Sequence, residues 1–541
     1  MDYHFRRNGL ERFLELFTKL RAGEGISVLL FFSYAFLLLV CYYLLKTVRE
    51  PLLLVGGSAE LKSYAYAAIA VILLVLVPVY SAAFRHTSKR FLVRGVTLFF
   101  MACLLVLYGL GRAGVDIGFA YYVWVGIFNV VVIAQFWAYA ADTYNLKSGQ
   151  RLFPVIMVGA TLGGLAGPVI TGALFPLLGP WNLMLLAFVL LAATLPFVGL
   201  ADRKVPDGSR ALYSEDKPER SGLLGGFAVV FADRYLLLLA CMAVLLNWVN
   251  TTGEYILTEL VVRYADGLIA TDASLDKGNI IAAFYSNFFF VVNLMTVGFQ
   301  VFLVARLFRW IGVSGAVMIL PVIAFIGYGL VVFVPVFAII RAVKMLENST
   351  DYSIQNTTRH ALYLPLSEAQ KYEGKTTIDS FFWRFGDLVQ AGVIFAGLNW
   401  FGFTIENFAM LNMGLALVWL AIARQIGRRY AAAEQSATMN LAPQLVRPLA
   451  DQPAPPGSDL NFRLPPDAFI DPDAGDVLTI TASGAGGAPL PPWLSFEADT
   501  LTFRGQTPDD IRGSTELHIR AADFDGACAE GVLMLRHKPA T

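Results

Sequence analysis

Long apolar windows recur through the first 425 residues, at 26–46, 63–84, 93–113, 117–141, 152–177, 181–200, 229–252, 280–305, 312–331, 333–348, 376–398 and 403–424. A helix crossing a lipid core needs about 20 largely apolar residues, so each window predicts a transmembrane span, twelve in all. Pro335 divides the ninth from the tenth, because PVIAFIGYGLVVFVPVFAII is too long for one crossing. After Tyr430 the pattern changes. NLAPQLVRPLADQPAPPGSD, inside a proline-rich linker over 431–459, predicts a semi-extended segment. From 460 to 541 short alternating runs (LNFRL, DVLTITAS, LSFEADTLTFRG, STELHIRAADF, GVLMLRH) predict a small all-β domain.

The loops between windows set an orientation. RHTSKRFLVR at 85–94, the 201–220 segment, RLFR at 306–309 and RQIGRR at 424–429 are basic and fall on the side of the N-terminus. The positive-inside rule makes that side cytoplasmic, with both ends of the membrane part inside. Residues 1–25 place Arg6, Arg7, Arg12, Lys19 and Arg21 among Phe13, Leu14, Leu16, Phe17 and Leu20, which predicts a basic amphipathic surface helix. Six spans over 26–200, a charged connection at 201–228 and six spans over 229–430 follow the all-α major-facilitator plan. Its substrate site lies between the halves near the midplane.

Composition narrows the function. The chain is 57% hydrophobic and 15% charged, with 41 basic and 41 acidic side chains. Its mean hydropathy is +0.60. A neutral chain has no field to draw nucleic acid. Cys41, Cys103, Cys241 and Cys528 form no disulfide framework. The histidines are scattered, and no HExxH, paired CxxC or GxSxG occurs, so neither an enzyme nor a cofactor is expected in the membrane part.

The informative residues are polar ones inside apolar windows. In YYLLKTVREP, Lys46, Arg49 and Glu50 are spaced i, i+3, i+4 and leave one helix face, with Pro51 expected to end the helix. Two readings fit: a polar cavity or partner charges, because charge facing lipid costs about 3 kcal/mol or more, or the water interface, where such chains snorkel. Gln135 and Asp142 share a face of the fourth span, and Asn247, Asn250 and Glu254 form a stripe on the seventh. The tenth carries Arg341, Lys344, Glu347 and Asp351 within an arc of roughly 120°. Gly159, Gly163 and Gly167, at every fourth position with Pro168 behind them, predict a helix that presses against another backbone.

DYSIQNTTRHALYLPLSEAQKYEGKTTID, 351–379, resembles the nucleotide translocases of plastids and intracellular bacteria, the non-mitochondrial ATP/ADP exchangers. Their stretch reads Lys-Tyr-Ser, a basic residue, Tyr-Ile-Pro-Leu, then Gly-Lys-Ala-Ala-Ile-Asp. Tyr352, Ser353, Arg359, Tyr363, Pro365, Leu366, Glu368, Lys371, Gly374, Lys375, Ile378 and Asp379 fit it. LLKTVREPLLL resembles the family's Leu-Arg-Asp-Thr-Lys-Asp, and Phe136-Trp137 and QRLFP at 150–154 also match, so the resemblance covers 26 to about 425. Together with the charged stripes above, it makes Lys46, Arg49, Glu50, Glu254, Arg341, Lys344, Arg384 and Asp387 the expected substrate contacts. There are departures. Arg49 replaces the usual lysine, keeping the charge and adding a bidentate fork. Val125 lies near the family's fourth-helix glutamate, and Asp387 stands where its eleventh-helix lysine is expected. The fold and transport role carry over well, and ATP/ADP exchange poorly. Arg384, at i−3 from Asp387, either pairs with it or supplies the missing cation.

FIDPDAGDVLTITA, LPPWLSFEADTLTFRG and AADFDGA resemble the dystroglycan-type cadherin-like domain, an immunoglobulin-like sandwich with Trp493 as core anchor. Asp471, Asp473, Asp476, Asp523 and Asp525 are either calcium ligands or turn formers. The chain is therefore expected to be a multi-pass transporter of the bacterial inner membrane, moving a nucleotide or another small anion by alternating access. Its tail domain is expected to bind a protein or glycan. Proton coupling through Glu254 or Asp387 to an unrelated solute, and a non-transporting scaffold, are the alternatives.

Overall fold

The computed structural model describes residues 24–86, 89–206, 225–334, 336–366, 370–438, 441–472, 478–523 and 526–537. The expected surface helix and most of the 201–228 connection lie outside them. Two units result, Met1–Ala431 and Ala432–Thr541.

The membrane unit begins with α1 (Glu24–Leu54), α2 (Ala59–His86), α3 (Lys89–Arg112) and α4 (Gly118–Thr143). The helical run Leu146–Thr194 would reach about 70 Å if straight, more than twice a hydrocarbon core. It breaks at Gly179, whose φ of 69° and ψ of 174° suit a residue without a Cβ, giving α5 (146–178) and α6 (180–194). The partners show that the chain turns back there. Arg151 pairs with Glu24 at the start of α1, Trp181 packs at Gly111 near the end of α3, and Arg94 at the start of α3 donates to the Val198 carbonyl. After a short helix, Gly225–Ala232, come α7 (Arg234–Thr271), α8 (277–311) and α9 (313–333), the latter two divided at Gly312 with φ 66°. Then follow α10 (337–361), α11 (Lys375–Asn399) and α12 (Ile405–Thr438).

Among the described residues nine helical segments are long and apolar enough to cross a membrane. The breaks at Gly179 and Gly312 and the charged α10 bring the crossings to twelve. The α1–α2, α3–α4, α5–α6, α7–α8, α9–α10 and α11–α12 turns share one face of the bundle, called here the hairpin face. The opposite, connector face holds Glu24, Pro206 and Gly225.

Each half has its own apolar core, and a third cluster (Leu53, Ile69, Tyr122, Leu257, Phe284, Phe288) joins the halves toward the hairpin face. The glycine stripe acts as its spacing predicts. A Cβ on Gly159 or Gly163 would lie 2.5 or 2.4 Å from the Phe32 or Phe36 carbonyl oxygen, so α5 rides directly on α1. Pro51 departs from expectation. It lies inside α1, which runs on to Leu54, with Val55 N–H donating to the Pro51 carbonyl at 3.0 Å. The proline forfeits one backbone hydrogen bond, whereas ending the helix in lipid would orphan several.

In the second unit, strands β1 (Gln444–Leu445) and β4 (Phe469–Ile470) pair antiparallel. A four-stranded sheet runs in the order β2 (Gln452–Pro453), β9 (Cys528–Arg536), β8 (Ser514–Ala522), β5 (Thr479–Gly484), and a three-stranded sheet in the order β3 (Asp459–Arg463), β7 (Thr502–Gln506), β6 (Leu494–Glu497). β1 and β2 lie in the stretch expected as linker, so the domain starts well before 460. Two-residue strands among prolines leave no alternation to read. The core is centred on Phe503, fully buried between Phe462 and Phe496 at 4.9 and 4.6 Å. Trp493, expected as the anchor, is only partly buried and meets His537 edge-on at the rim.

Two substitutions probe this packing. Gly163→Leu forces a side chain into the α1 backbone and should lower the thermal stability of the detergent-purified protein by about 2 kcal/mol or abolish its yield. Phe503→Ala should destabilise the tail domain by about 3–5 kcal/mol, read as earlier protease cleavage after 441 with the membrane unit intact.

Candidate functional site

Lys62 sits one turn into α2 and is buried between two carboxylates. Its Nζ is 3.1 Å from Glu50 Oε2 on α1 and 3.5 Å from Glu254 Oε2 on α7, so one ammonium joins the two halves. It also donates to Thr258 Oγ1 at 3.0 Å and to Tyr285 OH at 3.4 Å. Beyond Glu50 stands Arg49, whose Nε is 3.2 Å from Glu50 Oε1 and whose guanidinium lies 4.0 Å over the Tyr122 ring. Beyond Glu254 stands Lys344 at 3.8 Å, and Glu347 lies 3.4 Å further on. Tyr328 OH donates to the Glu347 carboxylate at 3.2 Å, and Asn348 Nδ2 to Glu254 Oε1 at 2.9 Å. The six charges alternate in sign along a buried row from α1 to α10. Neutral pairing of this kind makes such groups tolerable in a low-dielectric interior.

The helix periods explain the row. Glu254 and Asn250 are one turn apart on α7, and Asn250 Oδ1 accepts from Lys344 Nζ at 2.6 Å. Lys344 and Glu347, at i and i+3, share the α10 face that meets them. Just past them α10 loosens into a π-turn at Asp351–Gln355, and α4 has one at Asn129–Ile133. π-turns are rare and frequently found at functional sites.

Of the residues named from sequence, Arg49, Glu50, Glu254 and Lys344 come together here. Lys46 lies one turn from Glu50 toward the connector face, half-buried, with its Nζ 4.2 Å over the Phe289 ring and 5.4 Å over Tyr43. Arg341 stands apart near the hairpin end of α10, bonded to Asn287 Oδ1 and stacked 5.3 Å over Phe284. Arg384 and Asp387 pair with each other at 3.6 Å on α11, beside Asn247 of α7. Lys62 was not among the named residues because it lies one position outside the apolar window 63–84. A helix starting at Ala59 puts it inside. Of the five aspartates considered for calcium, Asp473, Asp476 and Asp525 lie outside the described residues. Asp523 Oδ1 accepts from Ala527 N–H at 2.9 Å, a turn role.

Among the described residues, the bonds between the halves run from mid-bundle to the hairpin face. Tyr43 OH donates to Asn293 Oδ1 at 2.9 Å, Ser286 to the Pro168 carbonyl, Gln390 Nε2 to Ser63 Oγ at 3.1 Å and Asn399 Nδ2 to Glu60 at 3.4 Å. Toward the connector face, the pairs Arg151–Glu24, Gln370–Asp233 and Arg359–Asp379 each join helices of one half. Tyr352, in the middle of α10, keeps 43% exposure. Among the described residues, the bonds that join the halves thus lie from mid-depth to the hairpin face.

The 351–379 motif builds the connector-face corner between α10 and α11. Arg359 stacks 4.5 Å over Trp383, and Lys375 meets His360 Nδ1 at 3.1 Å and lies over Tyr363.

With this geometry in place, comparison with known proteins is informative. The membrane unit is similar to bacterial ADP,ATP carriers. It is 22% identical to ADP,ATP carrier protein 1 of Chlamydia trachomatis over 360 residues, 58% of this chain and 65% of the relative. It is 23% identical to ADP,ATP carrier protein 1 of Chlamydia muridarum with the same coverage, so the match spans less than two thirds of either relative. Among solved structures, the nucleoside transporter NupG superposes with a TM-score of 0.52 at 12% identity, covering 76% of this chain and 99% of that one. A bacterial homolog of the human lysosomal transporter Spinster gives 0.51 at 13% identity, covering 77% and 99%. The membrane unit has the major-facilitator fold. Residues 442–535 match the He_PIG family model, "Putative Ig domain", in keeping with the immunoglobulin-like sandwich.

The row makes a quantitative demand. If Lys62 and Glu254 are a coupled pair, Lys62→Gln and Glu254→Gln should each destabilise the purified protein, and the double variant should recover about 1–3 kcal/mol relative to their sum. Strict additivity in thermal unfolding would show that the pair contributes no coupling.

Proposed function

We propose that this protein is a membrane transporter that moves a nucleotide or another small anionic metabolite by alternating access. The observation that carries this is the buried ion pair from Lys62 to Glu254, which joins the two halves of the bundle through one shared ammonium. An ion pair suits a reversible closure. Its desolvated charges hold the halves together when shut, and water compensates them when the halves part. Lys46 and Lys344 bring cationic groups to the same level, as an anionic cargo requires. The similarity to ADP,ATP carriers and to the fold of a nucleoside transporter supports the solute class.

Adenine nucleotide triphosphates are a poor fit. Asp387 stands on α11 where the translocase pattern has lysine, and its partner Arg384 is engaged with it. The basic loops argue for a bacterial inner membrane with the connector face cytoplasmic. On that arrangement the tail domain is cytoplasmic, where it is free to bind a protein partner; the aspartate-rich turns leave calcium binding there as a proposal.

Uptake of labelled ATP, ADP and a panel of organic anions into proteoliposomes, with and without a pH gradient, should reveal saturable flux of at least one anion. Cross-linking Ser63→Cys to Gln390→Cys with a bifunctional thiol reagent, in a background lacking the native cysteines, should stop that flux by pinning the hairpin face. Flux that persists in fully cross-linked protein, or no flux of any solute, would remove this reading.

A further inference from the structure

The three carboxylates of the row are not equally held. Glu50 has the Lys62 ammonium at 3.1 Å and Arg49 Nε at 3.2 Å. Glu254 has Asn348 Nδ2 at 2.9 Å, Lys62 at 3.5 Å and Lys344 at 3.8 Å. Glu347 is just as buried, and its partners are the Lys344 ammonium at 3.4 Å and the Tyr328 hydroxyl at 3.2 Å. Neither is wholly its own. Lys344 directs its short hydrogen bonds to Asn250, at 2.6 Å to Oδ1 and 3.0 Å to the carbonyl. Tyr328 OH also lies 3.1 Å from the Val249 carbonyl oxygen, and its one hydrogen cannot serve both acceptors fully.

The pocket around Glu347 is short of hydrogens. Asn412 Nδ2 of α12 donates to the same Val249 carbonyl at 3.0 Å, while Asn412 Oδ1 is buried with no donor among the described residues. The α7 backbone is shaped to admit the cluster: a Cβ on Gly253 would collide with Tyr328 OH and lie 3.0 Å from Lys344 Nζ. One more hydrogen, on Glu347, relieves the shortage. Glu347 then donates to the Tyr328 oxygen, and Tyr328 donates to the Val249 carbonyl. The charged and titratable groups around it are few. α7 brings Glu254, α9 brings Tyr328, and α12 brings the uncharged Asn412. α8 meets this part of α10 through Asn287 and Val292, neither of them charged. On α10 itself Lys344 lies one turn before Glu347 and Asp351 one turn after.

We propose that Glu347 is a proton-binding site, and that its protonation loosens the Lys62–Glu254 contact between the halves. This rests on the transport reading and adds a coupling ion to it. In the step, a proton from water forms an O–H bond on the Glu347 carboxylate, and on release it returns to water. With Glu347 neutral, Glu254 is the one carboxylate left within 4 Å of Lys344 among the described residues. A buried ammonium stripped of its counter-charge is costly, so Lys344 closes on Glu254. Glu254 then divides its charge between two ammonium groups, and its hold on Lys62 across the halves weakens. Loss of the proton returns Lys344 to Glu347 and restores the contact. The halves are therefore held together above the pH at which Glu347 titrates and released below it.

The test is a distance between spin labels at Ser58→Cys in the α1–α2 turn and Ala273→Cys in the α7–α8 turn, both exposed. It uses full-length protein lacking the native cysteines, in proteoliposomes. Acidification should lengthen the distance, and Glu347→Gln should hold it long at every pH. Tyr328→Phe takes a donor from the ionised carboxylate and should move the transition to higher pH; it decides the matter alone if Glu347→Gln does not fold. Asp351→Asn should leave the transition in place. Infrared difference spectra across the transition should show a protonated carboxyl band that Glu347→Gln removes. A distance that ignores pH or shortens in acid would overturn the proposal, as would a transition that survives Glu347→Gln, is unmoved by Tyr328→Phe or is abolished by Asp351→Asn. Any of these results alongside measurable flux in proteoliposomes leaves the transport reading standing.

Discussion

A single ammonium group, that of Lys62, decides how the two halves meet. It is buried, it is shared between a carboxylate of each half, and its removal would leave two negative charges facing each other in a low-dielectric interior. The rest of the row follows from it. Glu254 holds Lys62 and therefore can hold Lys344 only loosely, at 3.8 Å, and Lys344 in turn takes Glu347 and the Asn250 amide oxygen. The nearby apolar cluster of Leu53, Ile69, Leu257 and Phe284 excludes water from this row on the hairpin side. Dry surroundings strengthen the charges, and the charges fix the register in which the apolar surfaces meet.

The contacts divide into those that can separate and those that cannot. Within the first half, α5 meets α1 backbone to backbone through Gly159 and Gly163, with no flexible side chain to absorb a displacement. Across the halves, α5 packs on α8 through side chains, with hydrogen bonds from Ser286 to the Pro168 carbonyl and from Asn293 to the Gly164 carbonyl. One face of α5 is thus packed against backbone and the other against side chains, which can rearrange more readily than a backbone can.

Much of the fold was legible because lipid imposes it. Apolar length marked the crossings, and the positive-φ glycines at 179 and 312 only made explicit the breaks between adjacent windows. Glu254 and the α10 stripe were legible because charge within an apolar window has few tolerable explanations. Lys62 was not, because a window drawn by hydropathy ends where polarity begins, and GGSAELKS reads as a turn until the helix is seen to start at Ala59. Arg341 shares the Lys344 face by period, and its early position in the helix places it at Asn287 and Phe284, apart from the row. In the tail, Trp493 has the largest side chain of its stretch. The middle strand of the three-stranded sheet, however, carries the ring flanked on both sides by cross-strand aromatics, and that ring is Phe503.

Asp387 illustrates why a substitution should be read with its neighbours. Set against a sequence pattern, an aspartate in place of a lysine looks like a swing from attraction to repulsion at an anion site. In the folded protein the Arg384 guanidinium lies one turn away at 3.6 Å, so α11 presents a neutral pair to α7. The electrostatic character of the interface is therefore set by the alternating row from Arg49 to Glu347 rather than by α11.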